Sequence, residues 1–159
     1  LYLPVSPMLL LVLAAAAYLV MSLIRRITGP REPKSRFCTV VIRNGGAQVS
    51  LRGKIDTGST LAEPFSHRPA LVVEKSAAMA VLPSCLQEKA GPESWEDGVR
   101  MIPYHGVSGE GYLPGFVPEG MTVTAGEGPE PLENCWVAVC GQKLGRGEFQ
   151  VLVPPAVFD

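Results

Sequence analysis

The sequence predicts an all-β domain, a small closed β-barrel, preceded by a transmembrane helix. Residues 1–24 carry no charged side chain and residues 8–21 are continuously apolar, and about 20 apolar residues are enough to cross a bilayer as a helix. After residue 36 the apolar runs are short and are separated by Gly and Pro, of which the chain has 17 and 15. This punctuation is typical of short strands and turns.

The charges that follow the apolar segment favour a membrane anchor. Arg25 and Arg26 end the segment, and further basic residues follow as far as Arg36. A secretory signal peptide would instead carry its positive charge before the apolar run and a small-residue cleavage site after it. A basic flank in this position predicts that the following domain lies on the cytoplasmic side of the cell membrane.

The predicted organisation has three parts: a transmembrane helix at 1–24, a basic juxtamembrane linker at 25–36 and a folded domain at 37–159. Because the first residue is Leu rather than Met, we expect the chain to continue upstream of the helix. Residues 25–54 hold eight Lys or Arg and one acid, a balance that anionic headgroups attract. Nucleic-acid binding is not expected, because the remainder is acidic and no aromatic platform accompanies the basic residues.

A β-hairpin is predicted at the start of the domain. Phe37–Arg43 and Ala47–Ile55 read as paired strands, with Asn44-Gly45 as the turn between them. In the second strand, apolar or small residues at alternate positions from Val49 to Ile55 share one face, and polar residues occupy the other.

The rest of the domain is predicted to consist of short strands. A helix is expected at Ala77–Val81 with Ser76 as its cap, and Ala125–Asn134 is expected to be a loop. Ser108–Gly111 is predicted to be a mobile hairpin tip, so that Val107–Tyr112 would form a flap that admits a peptide. The predicted strands are Pro69–Val73, Met101–Val107, Tyr112–Val117, Met121–Thr124, Trp136–Val139 and Phe149–Val153.

The segment Asp56-Thr57-Gly58-Ser59 directly follows the second predicted strand. A carboxylate on a tight Gly-containing loop at a strand end is how aspartic peptidases present their catalytic acid. A lone Asp-Thr-Gly also occurs as an ordinary polar turn. The hairpin before it and the apolar strand after it favour the peptidase interpretation.

A single such loop has a consequence for assembly. Aspartic peptidases need two carboxylates around one water molecule, and no second Asp-x-Gly-Ser/Thr occurs in the chain. Asp97 lies in a polar turn and Asp159 is the last residue. A twofold homodimer in which each Asp56 faces its mate is therefore expected.

The cysteine and histidine positions do not predict a metal site or a cofactor. Cys38, Cys85, Cys135 and Cys140 form no C-x-x-C pair, and the two histidines stand apart from each other. Cys38 and Cys140 lie in apolar runs and are predicted to be core residues. A nucleophilic pair of Cys85 with His105 stays open at this point.

The residues around Asp56 resemble known peptidases. Thr39–Ser59 resembles the strand-turn-strand start of retropepsin-like peptidases, and Asp56–Pro83 is similar to the sporulation sigma-E factor processing peptidase family of endospore-forming bacteria. That family has an Asp-Ser/Thr-Gly loop, then an acidic-Pro pair, which here is Glu63-Pro64, and then the Pro69–Val73 strand. The later segments Arg100–Val123 and Phe149–Pro155 also look like the family, so the resemblance covers residues 37–158.

The chain departs from the family pattern at three places. Ser59 stands where the family often has Asn, and Glu63 replaces the more frequent Asp. The family's apolar-apolar-Gly strand, which supports the catalytic loop, has no clear copy, and Val151–Pro154 is expected to take its place.

The resemblance implies a retropepsin-like barrel and an aspartic endopeptidase that activates a precursor sigma factor during sporulation. Because the family has a multi-span N-terminal region, the resemblance also implies that the transmembrane helix is the last of several spans. It implies that Asp56 is catalytic and that Thr57, Gly58 and Ser59 form the active-site loop. Thr57 would tie the two loops of the dimer together, Gly58 would let the backbone turn and approach its twin, and the Ser59 hydroxyl would bond the carboxylate. The implied partners are a second copy, the precursor sigma factor, the membrane and a signalling activator, with no nucleic acid. The alternative is a membrane-anchored β-barrel that binds or scaffolds without catalysis.

Overall fold

A computed structural model describes residues 7–28, 37–87, 98–106, 109–126 and 128–158. The chain divides into two compact units, Leu1–Arg31 and Glu32–Asp159. The first unit contains helix α1, Pro7–Thr28, whose side chains are described as far as Leu23. Its Leu, Ala and Met residues are strong helix formers. The predicted helix at 1–24 is confirmed for residues 7–24, but it continues to Thr28, into the predicted linker. The predictions for residues 1–6 and 29–36 lie outside the described residues.

Among the described residues, no helix is long and apolar enough to cross a membrane. The predicted transmembrane character of residues 1–24 is not confirmed by the structure.

The second unit is mostly β-sheet, as predicted. Two short helices, α2 (Lys75–Ala78) and α3 (Ser84–Gln87), follow the third strand. The described strands are β1 (Phe37–Asn44), β2 (Ala47–Ile55), β3 (Ala70–Glu74), β4 (Arg100–Gly106), β5 (Gly109–Phe116), β6 (Gly120–Thr124), β7 (Pro129–Pro131), β8 (Trp136–Cys140) and β9 (Val151–Val153).

The nine described strands form one sheet in the order β4-β5-β8-β3-β9-β2-β1-β6-β7. Most neighbours are antiparallel, but β2 and β9 are parallel, as are β3 and β8. The sheet does not close, so the prediction of a closed barrel is wrong. The end strands account for this: β7 is Pro-Glu-Pro and β4 contains Pro103. Proline has no backbone N–H to donate to a further strand, and it is confined largely to sheet edges.

The predicted hairpin is confirmed with a shift of its turn. β1 pairs with β2 from Phe37↔Lys54 to Asn44↔Ala47, which leaves Gly45 and Gly46 as the two turn residues. Both have positive φ, +57° and +75°, as a type I′ turn requires. Glycine adopts positive φ without a Cβ clash, so Gly45-Gly46 meets this requirement at both central positions, and Asn44 is the last residue of β1.

The sheet buries side chains on both of its faces. On β8, Val137 and Val139 belong to the main core, whereas Trp136 and Ala138 belong to a second, smaller cluster. Successive strand residues point to opposite faces, so this alternation assigns the two clusters to the two sides of the sheet. The smaller cluster also contains Ala70, Ile102, Leu61 and Leu113.

Three local predictions need correction. Helix α2 begins at Lys75, and Ser76 does not cap it: the Ser76 hydroxyl donates to the Glu74 carboxylate instead. The predicted loop Ala125–Asn134 contains strand β7. The predicted hairpin tip is largely strand, because β5 already begins at Gly109.

Candidate active site

Asp56 lies where the inner strand β2 ends. β2 pairs in parallel with β9 from Gly53↔Val151 to Ile55↔Val153, and the Asp56 backbone N–H donates to the Val153 carbonyl oxygen at 2.9 Å. Val151 and Val153 are fully buried. Strand β9 therefore supports the Asp56 loop, as was expected of Val151–Pro154.

Backbone N–H groups shape the loop that carries Asp56. The Ser59 N–H donates to the Asp56 carbonyl oxygen at 3.0 Å, and the Gly58 N–H donates to Asp56 Oδ1 at 3.2 Å. Asp56 itself is half-buried. The carboxylate is thus oriented by its own loop while it stays accessible to a reactant.

The neighbours of Asp56 differ in how they contribute to the loop. Thr57 and Gly58 are exposed and Ser59 is half-buried. Gly58 does not have a positive φ, and a Cβ atom there would meet only Asp56 Oδ1, at 3.6 Å. The turn itself therefore does not require glycine, and the hydroxyl roles of Thr57 and Ser59 stay predictions.

A second carboxylate, Glu63, is completely buried seven positions after Asp56. Its Oε2 accepts the Ser66 N–H at 2.7 Å and the Ser66 hydroxyl at 2.6 Å, and Arg100 Nη1 donates to Oε1 at 3.1 Å. Burial by itself would raise the pKa of Glu63. The hydrogen bonds from Ser66, Arg100 and the Phe65 backbone favour the ionised form more strongly, so that the pKa falls from 4.5 to about 2. Glu63 is therefore an ionised structural group and is not available as the second acid of a catalytic pair.

The segment around Glu63 folds back on itself. Ala62 forms an antiparallel bridge with Pro69. The Glu63 N–H donates to the Arg68 carbonyl oxygen at 2.9 Å, and the Glu63 carbonyl oxygen accepts the His67 N–H at 2.8 Å. His67 has a positive φ of 55°. This loop directs Phe65 outward, with 84% of its surface exposed.

The predicted flap coincides in part with the β4–β5 hairpin. The register runs from Arg100↔Gly115 to Gly106↔Gly109, and Val107 and Ser108 lie outside the described residues. A Cβ atom at Gly111 would come within 2.8 Å of the Tyr104 ring. Glycine is thus needed there for close packing, and the movement of a flap stays a prediction.

The cysteine alternative is not supported by the positions of its residues. Cys85 is buried in the main core, and His105 Nδ1 pairs instead with Glu110 Oε1 at 3.0 Å. Cys38 is a core residue as predicted, whereas Cys140 is only half-buried. Among the described residues, no group of three or more His, Cys, Asp or Glu side chains is placed to hold a metal ion.

A cleft of about 560 Å³ lies elsewhere on the domain, against β1, β2 and the end of β6. Phe37, Ser50, Arg52 and Thr124 are among the residues that line it, and no residue of Asp56–Ser59 does so. The candidate site therefore rests on the Asp56 loop and not on this cleft.

Sequence reasoning missed the residues that surround Glu63. Ser66 lies only three positions after Glu63, so this closeness in sequence was a signal that a local contact is within reach. Arg100 lies 37 residues from its partner Glu63. Trp136 lies 70 residues from its partner Ser66. No local pattern identifies partners at such separations.

A mostly β domain with an Asp-Thr-Gly-Ser loop held at the end of an inner strand has the features expected of a peptidase. The chain belongs to the Peptidase U4 family, described as the sporulation factor SpoIIGA, whose family model matches residues 3–157. The resemblance drawn from the Asp56–Pro83 segment is thereby confirmed, and the family is that of a sporulation protease. No curated protein matches the chain.

Proposed function

We propose that this protein is an aspartic endopeptidase that activates a precursor sigma factor during sporulation. The observation that carries the proposal is the placement of Asp56, whose backbone is fixed by Val153 and whose carboxylate is oriented by the Gly58 N–H. Membership of a sporulation peptidase family supports the reaction class. Asp56 is the catalytic residue, and Thr57, Gly58 and Ser59 complete its loop.

The second acid comes from a second copy of the chain. The sequence has three Asp residues, of which Asp97 and Asp159 lie outside the described residues. The two buried acids of the described residues already have partners: Glu63 bonds to Ser66 and Arg100, and Glu74 bonds to Ser76. A twofold dimer that brings two Asp56 loops together supplies the pair without any further residue.

The chemistry of such a pair follows from electrostatics. Two adjacent carboxylates cannot both ionise at low cost, so they share one proton. The ionised Asp56 accepts a proton from the attacking water, while the protonated Asp56 of the second copy polarises the scissile carbonyl. No metal or cofactor is needed for this reaction.

We also propose that the protein works at the cell membrane with residues 37–159 on the cytoplasmic side. The uncharged residues 1–24 and the basic residues that follow support this placement. The partners in the proposal are a second copy, the precursor sigma factor and a signalling activator.

Replacing Asp56 tests the proposal. Asp56→Asn keeps a side-chain oxygen that can accept the Gly58 N–H, so the domain should fold, but the variant should not process the precursor in sporulating cells. Glu130→Gln, which removes an exposed acid on edge strand β7, is the matched control and should process it normally. If Asp56→Asn processes the precursor at the wild-type rate, the aspartic mechanism is wrong and the non-catalytic scaffold becomes the better interpretation.

A further inference from the structure

Glu63 and Arg100 join two parts of the domain that the sheet does not join directly. Glu63 lies in the loop that follows Asp56, and Arg100 is the first residue of β4. Their side chains meet at 3.1 Å, with Glu63 fully buried and Arg100 50% exposed. Strand β4 is at the end of the described sheet order and pairs there only with β5.

Two aromatic side chains hold the Arg100 guanidinium in place. Its Cζ lies 5.7 Å from the centre of the Phe65 ring and 5.5 Å from that of the Trp136 ring, within the range of cation–π attraction. Trp136 Nε1 also donates to the Ser66 hydroxyl at 3.3 Å, and that hydroxyl donates to Glu63. The network thus connects the loop after Asp56, edge strand β4 and inner strand β8.

The β4–β5 hairpin is anchored at the end that contains Arg100 and is exposed at the other end, near its turn. Ile102, two residues after Arg100, is fully buried in the smaller cluster with Trp136. Towards the turn, the side chains of His105 and Glu110 are 74% and 79% exposed. The orientation of the whole hairpin therefore depends on contacts near Arg100.

We propose that Glu63 and Arg100 are a positioning pair for peptide binding, which holds the β4–β5 hairpin at a fixed place relative to the Asp56 loop. The inference rests on the proposed function in one respect, namely that the bound molecule is the peptide cleaved at Asp56. Neither side chain contacts the reacting atoms. An ion pair with a buried partner often adds little net stability compared with apolar residues, but in some proteins it selects one arrangement of the elements that it joins.

The central test uses Arg100→Met in the full chain. Methionine keeps an unbranched stem between the two rings and removes the charge and the bond to Glu63. If only part of the population then holds the hairpin in the binding arrangement, apparent affinity falls by that fraction. We expect KM to rise roughly five- to tenfold with kcat within about twofold of wild type, and Arg100→Lys to recover part of the loss. Glu130→Gln is again the control.

A second measurement keeps this inference separate from the proposed function. In Asp56→Asn chains, a fluorescein-labelled peptide that spans the processing site of the precursor sigma factor should bind roughly five- to tenfold more weakly when Arg100→Met is added. Amide hydrogen exchange in the same chains should accelerate along Met101–Tyr104 and stay unchanged in β1 and β2. These readouts require no turnover.

The outcomes distinguish the two ideas. Cleavage of the precursor by Asp56→Asn would contradict the proposed function. The amide hydrogen exchange of the β4–β5 hairpin would still test whether Glu63 and Arg100 position it. An Arg100→Met chain with lower thermal stability but unchanged KM, peptide affinity and hairpin exchange would overturn the positioning role. A loss confined to kcat would overturn it as well, because the pair would then act on the chemical step. Glu63→Gln, which removes the charge of the other partner, should raise KM in the same way; if that variant does not fold, Arg100→Met alone tests the pair.

Discussion

The Asp56 backbone N–H is bonded to the Val153 carbonyl oxygen at 2.9 Å, so a residue near the end of the chain fixes the start of the candidate catalytic loop. Val153 is fully buried and pairs with Ile55, the residue before Asp56. The position of the carboxylate therefore depends on how β9 packs as well as on its own turn.

Truncation of Val153 should lower activity more than truncation of a valine elsewhere that costs the same unfolding free energy. Val153→Ala leaves a cavity beside the Asp56 loop and should cost on the order of 2 kcal/mol. Val123→Ala, on β6, removes an equally buried valine and is the matched control. We expect similar unfolding free energies in urea but a clearly lower processing rate for Val153→Ala. Equal rates for the two variants would show that β9 does not position Asp56.

Close packing under the loop should make Gly53 intolerant of a side chain. A Cβ atom there would lie 2.7 Å from Cys38 Sγ and 3.3 Å from Val153 Cγ2. Gly53→Ala should therefore destabilise the domain by about 1–3 kcal/mol, and Cys38→Ala in the same chain should recover part of this. Gly126→Ala, where nothing lies within 4 Å, is the control. The midpoint of thermal unfolding should be measured for Gly53→Ala, for the double variant with Cys38→Ala and for Gly126→Ala. An unchanged midpoint for Gly53→Ala would contradict this close packing.

The buried Glu63 should make stability depend on acid pH. Its folded pKa, about 2, lies below its ordinary value of 4.5, so the folded state favours the ionised form. The resulting stabilisation is present above pH 4.5 and is lost as pH falls towards 2. Unfolding free energies between pH 5 and 2 should fall steeply for wild type and less steeply for Glu63→Gln and Arg100→Met. Identical slopes for the three proteins would show that the ion pair does not control this transition.

The cysteines should react at different rates and without effect on catalysis. Burial raises the pKa of the Cys38 thiol to about 11 and raises that of Cys135 as well, so both are protonated near neutral pH. Cys140 is half-buried. Iodoacetamide labelling followed by mass spectrometry should modify Cys140 before Cys38 and Cys135, and processing by Cys140→Ser should match wild type. Inactivation by Cys140→Ser would point to a thiol in the mechanism.

The sequence predicted those features that a local pattern determines. The alternation of apolar and polar residues along β2 and the Asn44-Gly45 pair predicted the β1–β2 hairpin, although its turn lies one residue later. The loop at Asp56 follows from where that strand ends. Barrel closure was predicted wrongly, because it depends on whether two distant edge strands pair, and prolines in β4 and β7 oppose this. The Glu63–Arg100 contact could not be predicted, because 37 residues separate the two side chains. The start of α2 was missed because the Ser76 hydroxyl bonds to Glu74 rather than to the helix end.

The central claim is that two Asp56 carboxylates from two chains form one catalytic site. Its most direct test co-expresses wild-type and Asp56→Asn chains at constant total level and varies their ratio, with wild type and Glu130→Gln as the control mixture. If pairing is random and both acids are required, activity should follow the square of the wild-type fraction and fall to about a quarter at equal expression. A linear dependence, with about half of the activity retained at equal expression, would show that one chain is sufficient and would contradict the dyad.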